Sequence, residues 1–136
     1  MIVLDENLND HRIVSAISAW FSGQVILITK LRAESKIKDD AIPALLHNAN
    51  QPIFVTINVK DFWKKKKTSP HQGYCIINVD VPEERIQDVP NFLRRLFRLP
   101  DFKTKAVRMG KIIRLTQIGI EYYERDRRIH SLQWPD

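Results

Sequence analysis

The chain has 136 residues, of which 43% are hydrophobic, enough for one ordinary core and too few for two. Its 22 lysines and arginines against 16 acidic residues give a net charge of +6, which favours polyanionic partners over acidic proteins. The single cysteine, Cys75, excludes an internal disulfide and a thiolate metal cluster, which indicates a reducing, cytoplasmic compartment. No segment approaches the roughly 18 apolar residues of a spanning helix, so no membrane partner is expected.

The first half of the chain alternates short apolar runs with amphipathic segments. The run "MIVL" predicts a strand that ends at Asp5, and "DHRIVSAISAWF" predicts a helix. A second strand is predicted at "QVILIT", followed after an irregular stretch by a helix that begins near Pro43. The run "PIFVT" predicts the third strand. This alternation indicates an α/β fold, a mostly parallel sheet covered by helices on both faces.

The second half predicts further strands and a β-rich end. Lys64 to Lys67 with "TSPHQG" form a predicted loop, "YCIINVDV" a strand, and "IQDVPNFLRRLFRL" a helix. "DFKTKAVRM" predicts a last helix that ends at Gly110, and "KIIRLTQIGIEYYE" a strand or a hairpin about Gly119. We therefore expect one domain over residues 1–124 and a loosely ordered polar tail over residues 125–136.

Acidic residues stand where the predicted strands end. Asp5 ends the first strand, Asp39 and Asp40 open the helix before the third strand, and Asp61 follows the third strand. In open α/β sheets, functional groups collect beyond the carboxyl ends of the strands. Carboxylates that converge there can bind Mg²⁺ or Mn²⁺, which activates water and stabilises charge on a phosphodiester.

Each of these residues also has a structural interpretation. Asp5 could cap the first helix, Asp40 could cap the helix that contains Pro43, and Asp61 could cap a turn held by aromatic neighbours. Thr56 is ordinary in a strand, and Asn58 is ordinary in a turn. Each structural interpretation is credible by itself. Because acids stand at successive strand ends, it is less credible that every one of these interpretations is correct.

Three segments together resemble the PIN and PIN-like nuclease superfamily, which includes the toxins of VapC-type toxin–antitoxin pairs. They are "LDENL" at the start, the acidic pair before "AIPALL", and "VTINVKDF". The last segment matches the family pattern T-x-N-x-x-D-F, and the first is similar to a compact subgroup that opens with "LDEN". The resemblance covers residues 1–80, which carry the motifs.

The resemblance implies a three-layer α/β/α domain that cleaves RNA, or less often DNA, with a carboxylate-bound divalent metal. Asp5 and Asp61 match catalytic metal ligands of the family. The middle acid is Asp39 or Asp40; we prefer Asp39 as the ligand, with Asp40 as the helix cap. Glu6 matches the second acid of the opening motif and is expected to support the site or the helix start.

Two further residues of the last motif are assigned supporting roles by the resemblance. Thr56 and Asn58 are expected to orient Asp61 or to hold a metal-bound water. Phe62 and Trp63 are expected to fix Asp61 at the edge of the site.

The basic segments suggest contacts with nucleic acid. Lys64, Lys65, Lys66 and Lys67 are predicted to contact phosphates, although such runs are more often solvated surface. The same alternatives apply to Arg94, Arg95 and Arg98.

The sequence therefore predicts a metal-dependent endoribonuclease, the toxin component of a type II toxin–antitoxin pair with a small antitoxin as partner. A catalytically weak adaptor that binds nucleic acid or protein and a nuclease directed at DNA stay open as alternatives. The number of metal ions and the formation of a homodimer are also left open.

Overall fold

The computed structural model describes residues 1–30, 42–64 and 69–135. The strands in these ranges are β1 (Ile2–Leu4), β2 (Val25–Leu27), β3 (Ile53–Thr56), β4 (Cys75–Val79), β5 (Ile112–Leu115), β6 (Gly119–Tyr123) and β7 (His130–Gln133). The α-helices are α1 (His11–Ser18), α2 (Ile42–Asn48), α3 (Val59–Phe62), α4 (Val89–Phe97) and α5 (Lys105–Arg108). Short 3-10 turns cover Glu6–Leu8, Ile28–Lys30 and Glu83–Asp88.

The strands form one sheet in the order β2-β1-β3-β4-β5-β6-β7. The five strands from β2 to β5 in this order run parallel, and β6 and β7 are added antiparallel. The fold class predicted from the sequence is confirmed: an α/β fold with a mostly parallel sheet and a β-rich C-terminal part. Parallel pairing places the carboxyl ends of β1, β3, β4 and β5 along one edge of the sheet.

Two hydrophobic cores cover the two faces of the sheet. One core joins alternate strand residues such as Leu4 and Val55 to α1 and α4, and the other joins Phe54 and Ile76 to α2 and α3. This division follows from the strand geometry, because successive side chains point to opposite faces. The result is a three-layer α/β/α arrangement.

The only cysteine in the sequence belongs to the core under α1 and α4. Cys75 is fully buried in β4, and burial raises the pKa of its thiol to about 12. The thiol therefore stays protonated near neutral pH.

The predicted helices in the second half are shorter than expected. A 3-10 turn occupies Glu83–Asp88, so α4 begins only at Val89, with Pro90 in its first turn, where a missing N–H is tolerated. The last helix, α5, has four residues and is capped by the Thr104 hydroxyl, which accepts from the Val107 N–H. Gly110 follows it with φ of +87°, a conformation that favours glycine.

The expectation of a loosely ordered tail after residue 124 is wrong. Residues His130–Gln133 form β7, which pairs with β6 from Gly119 to Tyr122. Trp134 then contacts Phe92 of α4 and donates from its indole nitrogen to the Thr116 carbonyl over 2.6 Å. Polar side chains do not prevent this strand, because an edge strand exposes one face to water and is held by backbone hydrogen bonds.

Across the described ranges, every helix is too short or too polar to cross a lipid bilayer.

Candidate functional site

The candidate site lies where β1 and β3 end side by side. Leu4 of β1 lies opposite Val55 of β3, so the next residues, Asp5 just beyond β1 and Thr56 at the end of β3, are neighbours. The Asp5 N–H donates to the Val55 carbonyl over 2.9 Å, which extends the pairing by one step. Two polar residues that are 51 positions apart in sequence are thus brought together by strand register.

The Asp5 carboxylate is buried and held by three donors. Asp5 is only 5% exposed to solvent. Oδ1 accepts from the Glu6 N–H at 2.8 Å, and Oδ2 accepts from the Thr56 hydroxyl at 2.6 Å and from the Asn7 amide at 3.2 Å. Burial raises the pKa of Asp5, and these hydrogen bonds oppose the increase because they favour the charged form.

Asn7 is a site residue that the sequence analysis missed. Its Nδ2 lies between Asp5 Oδ2 and Thr56 Oγ1, at 3.2 and 3.3 Å respectively. Its Oδ1 is buried and has no hydrogen-bond partner among the residues that the structure describes. The signal was present, because Asn7 completes the "LDEN" segment that contains Asp5.

Asp61 joins the same network through Asn58. The Asn58 N–H donates to Thr56 Oγ1 over 2.9 Å, and its Nδ2 donates to Asp61 Oδ2 over 2.8 Å. Asp61 is the third residue of α3, and the two aromatics after it are buried in the core under α2 and α3. Hydrogen bonds therefore connect Asp5 with Asp61 through Thr56 and Asn58.

Thr56 and Asn58 contact different acids. The Asn58 side chain donates to Asp61, whereas the Thr56 side chain donates to Asp5. Glu6 begins the 3-10 turn after β1 and supplies its backbone N–H to Asp5.

The capping interpretation of Asp5 needs correction. Asp5 caps the 3-10 turn Glu6–Leu8, whereas α1 is capped by Asp10, whose side chain accepts from the Arg12 N–H at 2.9 Å. The turn inserted between strand and helix moves the helix start beyond the reach of Asp5.

Several predicted site residues lie outside the described ranges, namely Asp39, Asp40, Lys65, Lys66 and Lys67. Lys64 is described, is exposed, and lines a surface pocket with Tyr123 and Arg127. Within the described part of the chain, no three carboxylate, imidazole or thiol side chains lie close enough together to hold a metal ion.

Two further polar residues on the same edge were also missed. Asn78 of β4 lies opposite Thr56, is fully buried, and donates from Nδ2 to the carbonyls of Phe62 and Ile113 at 2.8 and 3.2 Å. Asp80 follows β4, and its carboxylate is bound by the Arg114 guanidinium at 2.6 Å. The strand-end rule that selected Asp5 would also have selected Asp80.

The donor atoms at the site suit a hard divalent cation. Asp5, Asp61 and the unpartnered Asn7 Oδ1 all offer oxygen, the ligand that Mg²⁺ and Mn²⁺ prefer. The three donors to Asp5 use three of the roughly four acceptor positions of a carboxylate. One position is thereby left for a cation.

Comparisons of the chain with protein-family models, with curated proteins and with solved structures find no match.

Proposed function

We propose that this chain is a divalent-metal-dependent endoribonuclease, with Asp5 and Asp61 as metal ligands. The observation that carries the proposal is the hydrogen-bonded network that connects these two acids through Thr56 and Asn58. It lies at the carboxyl ends of adjacent parallel strands, where open α/β sheets collect functional groups. The resemblance to the PIN-like superfamily adds a toxin role, with a small antitoxin as partner.

The protein residues prepare the site for a cation. Thr56, Asn7 and the Glu6 N–H fix the orientation of the Asp5 carboxylate, while Asn58 fixes that of Asp61. A bound Mg²⁺ or Mn²⁺ would lower the pKa of a coordinated water and stabilise the charge that develops on the phosphodiester. Burial makes ionised Asp5 costly, and an adjacent positive charge offsets this cost. In this proposal, Asp39 or Asp40 supplies the third carboxylate.

One observation favours the alternative of a catalytically weak adaptor. The Asp5 carboxylate accepts three hydrogen bonds and caps its own 3-10 turn. A carboxylate satisfied in this way suits a structural role as well as a ligand role.

Thermal unfolding with and without metal tests the site itself. A cation that binds only the folded chain should raise Tm by roughly 3–8 °C at saturating Mg²⁺ or Mn²⁺. Asp61→Asn keeps the shape of the side chain and removes its charge, so most of this increase should be lost. Asp101→Asn, which changes an exposed acid outside the network, is the matched control and should keep the whole increase.

Cleavage tests the activity in the same proteins. The substrates are single-stranded RNA and DNA of the same mixed sequence, each with Mg²⁺ or Mn²⁺. We expect the unsubstituted chain and Asp101→Asn to cleave RNA, and Asp61→Asn to lose at least about 100-fold in rate. Undiminished cleavage by folded Asp61→Asn would make this acid structural, and cleavage of DNA alone would select the DNA-directed alternative. A Tm indifferent to both metals, without cleavage, would favour the adaptor.

A further inference from the structure

A basic groove lies at the ends of α1 and α4, away from the candidate site. Its cations are Arg94, Arg98, Lys103 and Arg108, and its aromatic residues are Trp20, Phe21 and Phe97. The groove has a volume of about 490 Å³, within the usual range for ligand pockets. No carboxylate is among its described lining residues.

The groove and the candidate site lie at opposite ends of the same two helices. At the helix starts, Gln87 donates to the carboxylate of Asp10 at 2.8 Å, and Asp10 follows closely on Asp5. At the helix ends, the rings of Trp20 and Phe97 meet edge to face at 5.6 Å. The eight residues of α1 rise about 12 Å between these ends. The groove is therefore a second site.

Arg108 is the most buried cation that lines the groove, and it forms no salt bridge with a carboxylate of the described residues. It is 7% exposed, its guanidinium lies 4.3 Å from the centre of the Phe97 ring, and Nη1 donates to the carbonyls of Phe102 and Lys103 at 2.9 and 3.0 Å. Its Nε is buried and has no hydrogen-bond partner in the described ranges. A buried cation of this kind is costly unless an anion approaches it.

The other three cations are exposed and are in no salt bridge with any described carboxylate. Arg94 and Arg98 are four residues apart, so their side chains are neighbours on one helix surface. Elsewhere in the described ranges, Arg12, Arg85 and Arg114 each pair with an acid. The unpaired cations of the groove therefore concentrate a positive field next to half-buried rings.

We propose that the basic groove binds single-stranded nucleic acid. Arg94, Arg98 and Lys103 hold phosphates, and bases stack against the exposed parts of Trp20 and Phe97. Single-strand binding uses cations for the phosphates and aromatic rings for the bases, and the groove has both. An acidic peptide would use only the cations. The proposal concerns binding at a second site, and so it does not depend on cleavage at Asp5 and Asp61.

Binding is measured by fluorescence anisotropy with labelled oligouridylate of about 12 nucleotides, in EDTA so that no metal-dependent cleavage occurs. Arg94→Gln combined with Arg98→Gln removes two exposed cations and should weaken binding about tenfold at low salt. The slope of log K against log salt should flatten by about 1.4, the value for two phosphate contacts on a single strand.

The matched control combines Arg12→Gln with Arg85→Gln. It removes the same net charge near the opposite ends of α1 and α4, from exposed residues in surface ion pairs. Its affinity should stay within about twofold of the unsubstituted chain. Equal weakening in both double variants, or in neither, would overturn the proposal, because the binding would then not be located in the groove.

Tryptophan fluorescence reports where the strand binds. In a variant with Trp63→Phe and Trp134→Phe, only Trp20 remains, and oligouridylate should quench it. A variant that keeps only Trp63, in the core on the other face of the sheet, should show no quenching at an oligouridylate concentration at which anisotropy shows that it is saturated. Quenching of Trp63 alone would overturn the proposal.

A last comparison separates nucleic acid from other polyanions. A glutamate peptide of the same length carries similar charge but no bases, and it should compete at least about tenfold less well than oligouridylate. Equal or better competition by the peptide would overturn the assignment to nucleic acid. Oligothymidylate is expected to bind as RNA does, because stacking and phosphate contacts are common to both.

Discussion

At the scale of single residues, a buried polar side chain at the sheet edge holds the backbone of neighbouring elements in place. Asn78 is fully buried in β4, yet its amide connects three elements by donating to the carbonyl of Phe62 in α3 and to that of Ile113 in β5. A donor in this position satisfies backbone oxygens that water cannot reach. The position of α3, and with it that of Asp61, therefore depends on the side chain of Asn78.

The amide of Asn78 can be tested with two substitutions. Asn78→Asp replaces the donor with a charged acceptor that faces two carbonyls, and it should lower the free energy of unfolding by about 3 kcal/mol or more at pH 7. Asn78→Leu removes the donor and also the unpartnered Oδ1, so its cost should be smaller, about 1 kcal/mol. Urea unfolding followed by circular dichroism measures both.

Asn91 provides the control for these substitutions, because it is exposed on α4. Asn91→Asp should change the free energy of unfolding by no more than about 0.5 kcal/mol. If Asn78→Asp were equally mild, the amide would not be a buried donor in solution.

At the scale of elements, the last strand is held closely against its neighbour. Among the described strands, β7 pairs with β6 alone and forms one edge of the sheet. A Cβ added at Gly119, the first residue of β6, would lie 2.6 Å from the Leu132 carbonyl oxygen. Real Cβ atoms do not approach backbone this closely, so glycine permits the two strands to pair here.

We expect Gly119→Ala to lower the free energy of unfolding by about 1–3 kcal/mol, because β7 must move away from β6. Ser131→Ala is the control; Ser131 is exposed on β7, and its substitution should cost no more than about 0.5 kcal/mol. Hydrogen exchange should also become faster at the amides of residues 130–133 in Gly119→Ala. Unchanged exchange and stability would mean that β7 is not paired as described.

At the scale of the whole molecule, the two cores share a single sheet. Trp20 and Trp134 pack against the core under α1 and α4, whereas Trp63 is buried in the core under α2 and α3. Every central strand contributes side chains to both cores, because its residues alternate between the faces. Neither core can therefore lose its strands while the other keeps them.

This arrangement predicts one cooperative unfolding transition. Variants that keep Trp20 alone or Trp63 alone, with phenylalanine at the other two positions, report on one core each. In each variant, the urea midpoint from fluorescence should coincide with the midpoint from far-UV circular dichroism. A lower fluorescence midpoint for Trp63 alone would show that the core under α2 and α3 opens first.

The sequence by itself determined the order and type of most elements. Apolar runs, amphipathic segments and the glycine and proline positions are local features, and local features decide between strand, helix and turn. For this reason the parallel α/β class and the β-rich C-terminal part were predicted correctly. The polar composition of residues 125–136 did not predict a strand there. β7 forms because it pairs with β6, and this pairing does not depend on the hydrophobic pattern of the tail itself.

Tertiary structure alone decided which polar residues meet. Asp5 and Thr56 contact each other because β1 and β3 are neighbours in a fixed register, and no local pattern encodes a contact between positions 51 residues apart. The register of β3 against β4 likewise placed Asn78 beside Thr56. Likewise, the basic groove exists only because α1 and α4 end together at Trp20 and Phe97. The sequence thus determined which chemical groups stand at the ends of the helices and strands. Packing decided which of these groups share a site, because long-range contacts set strand register and helix packing.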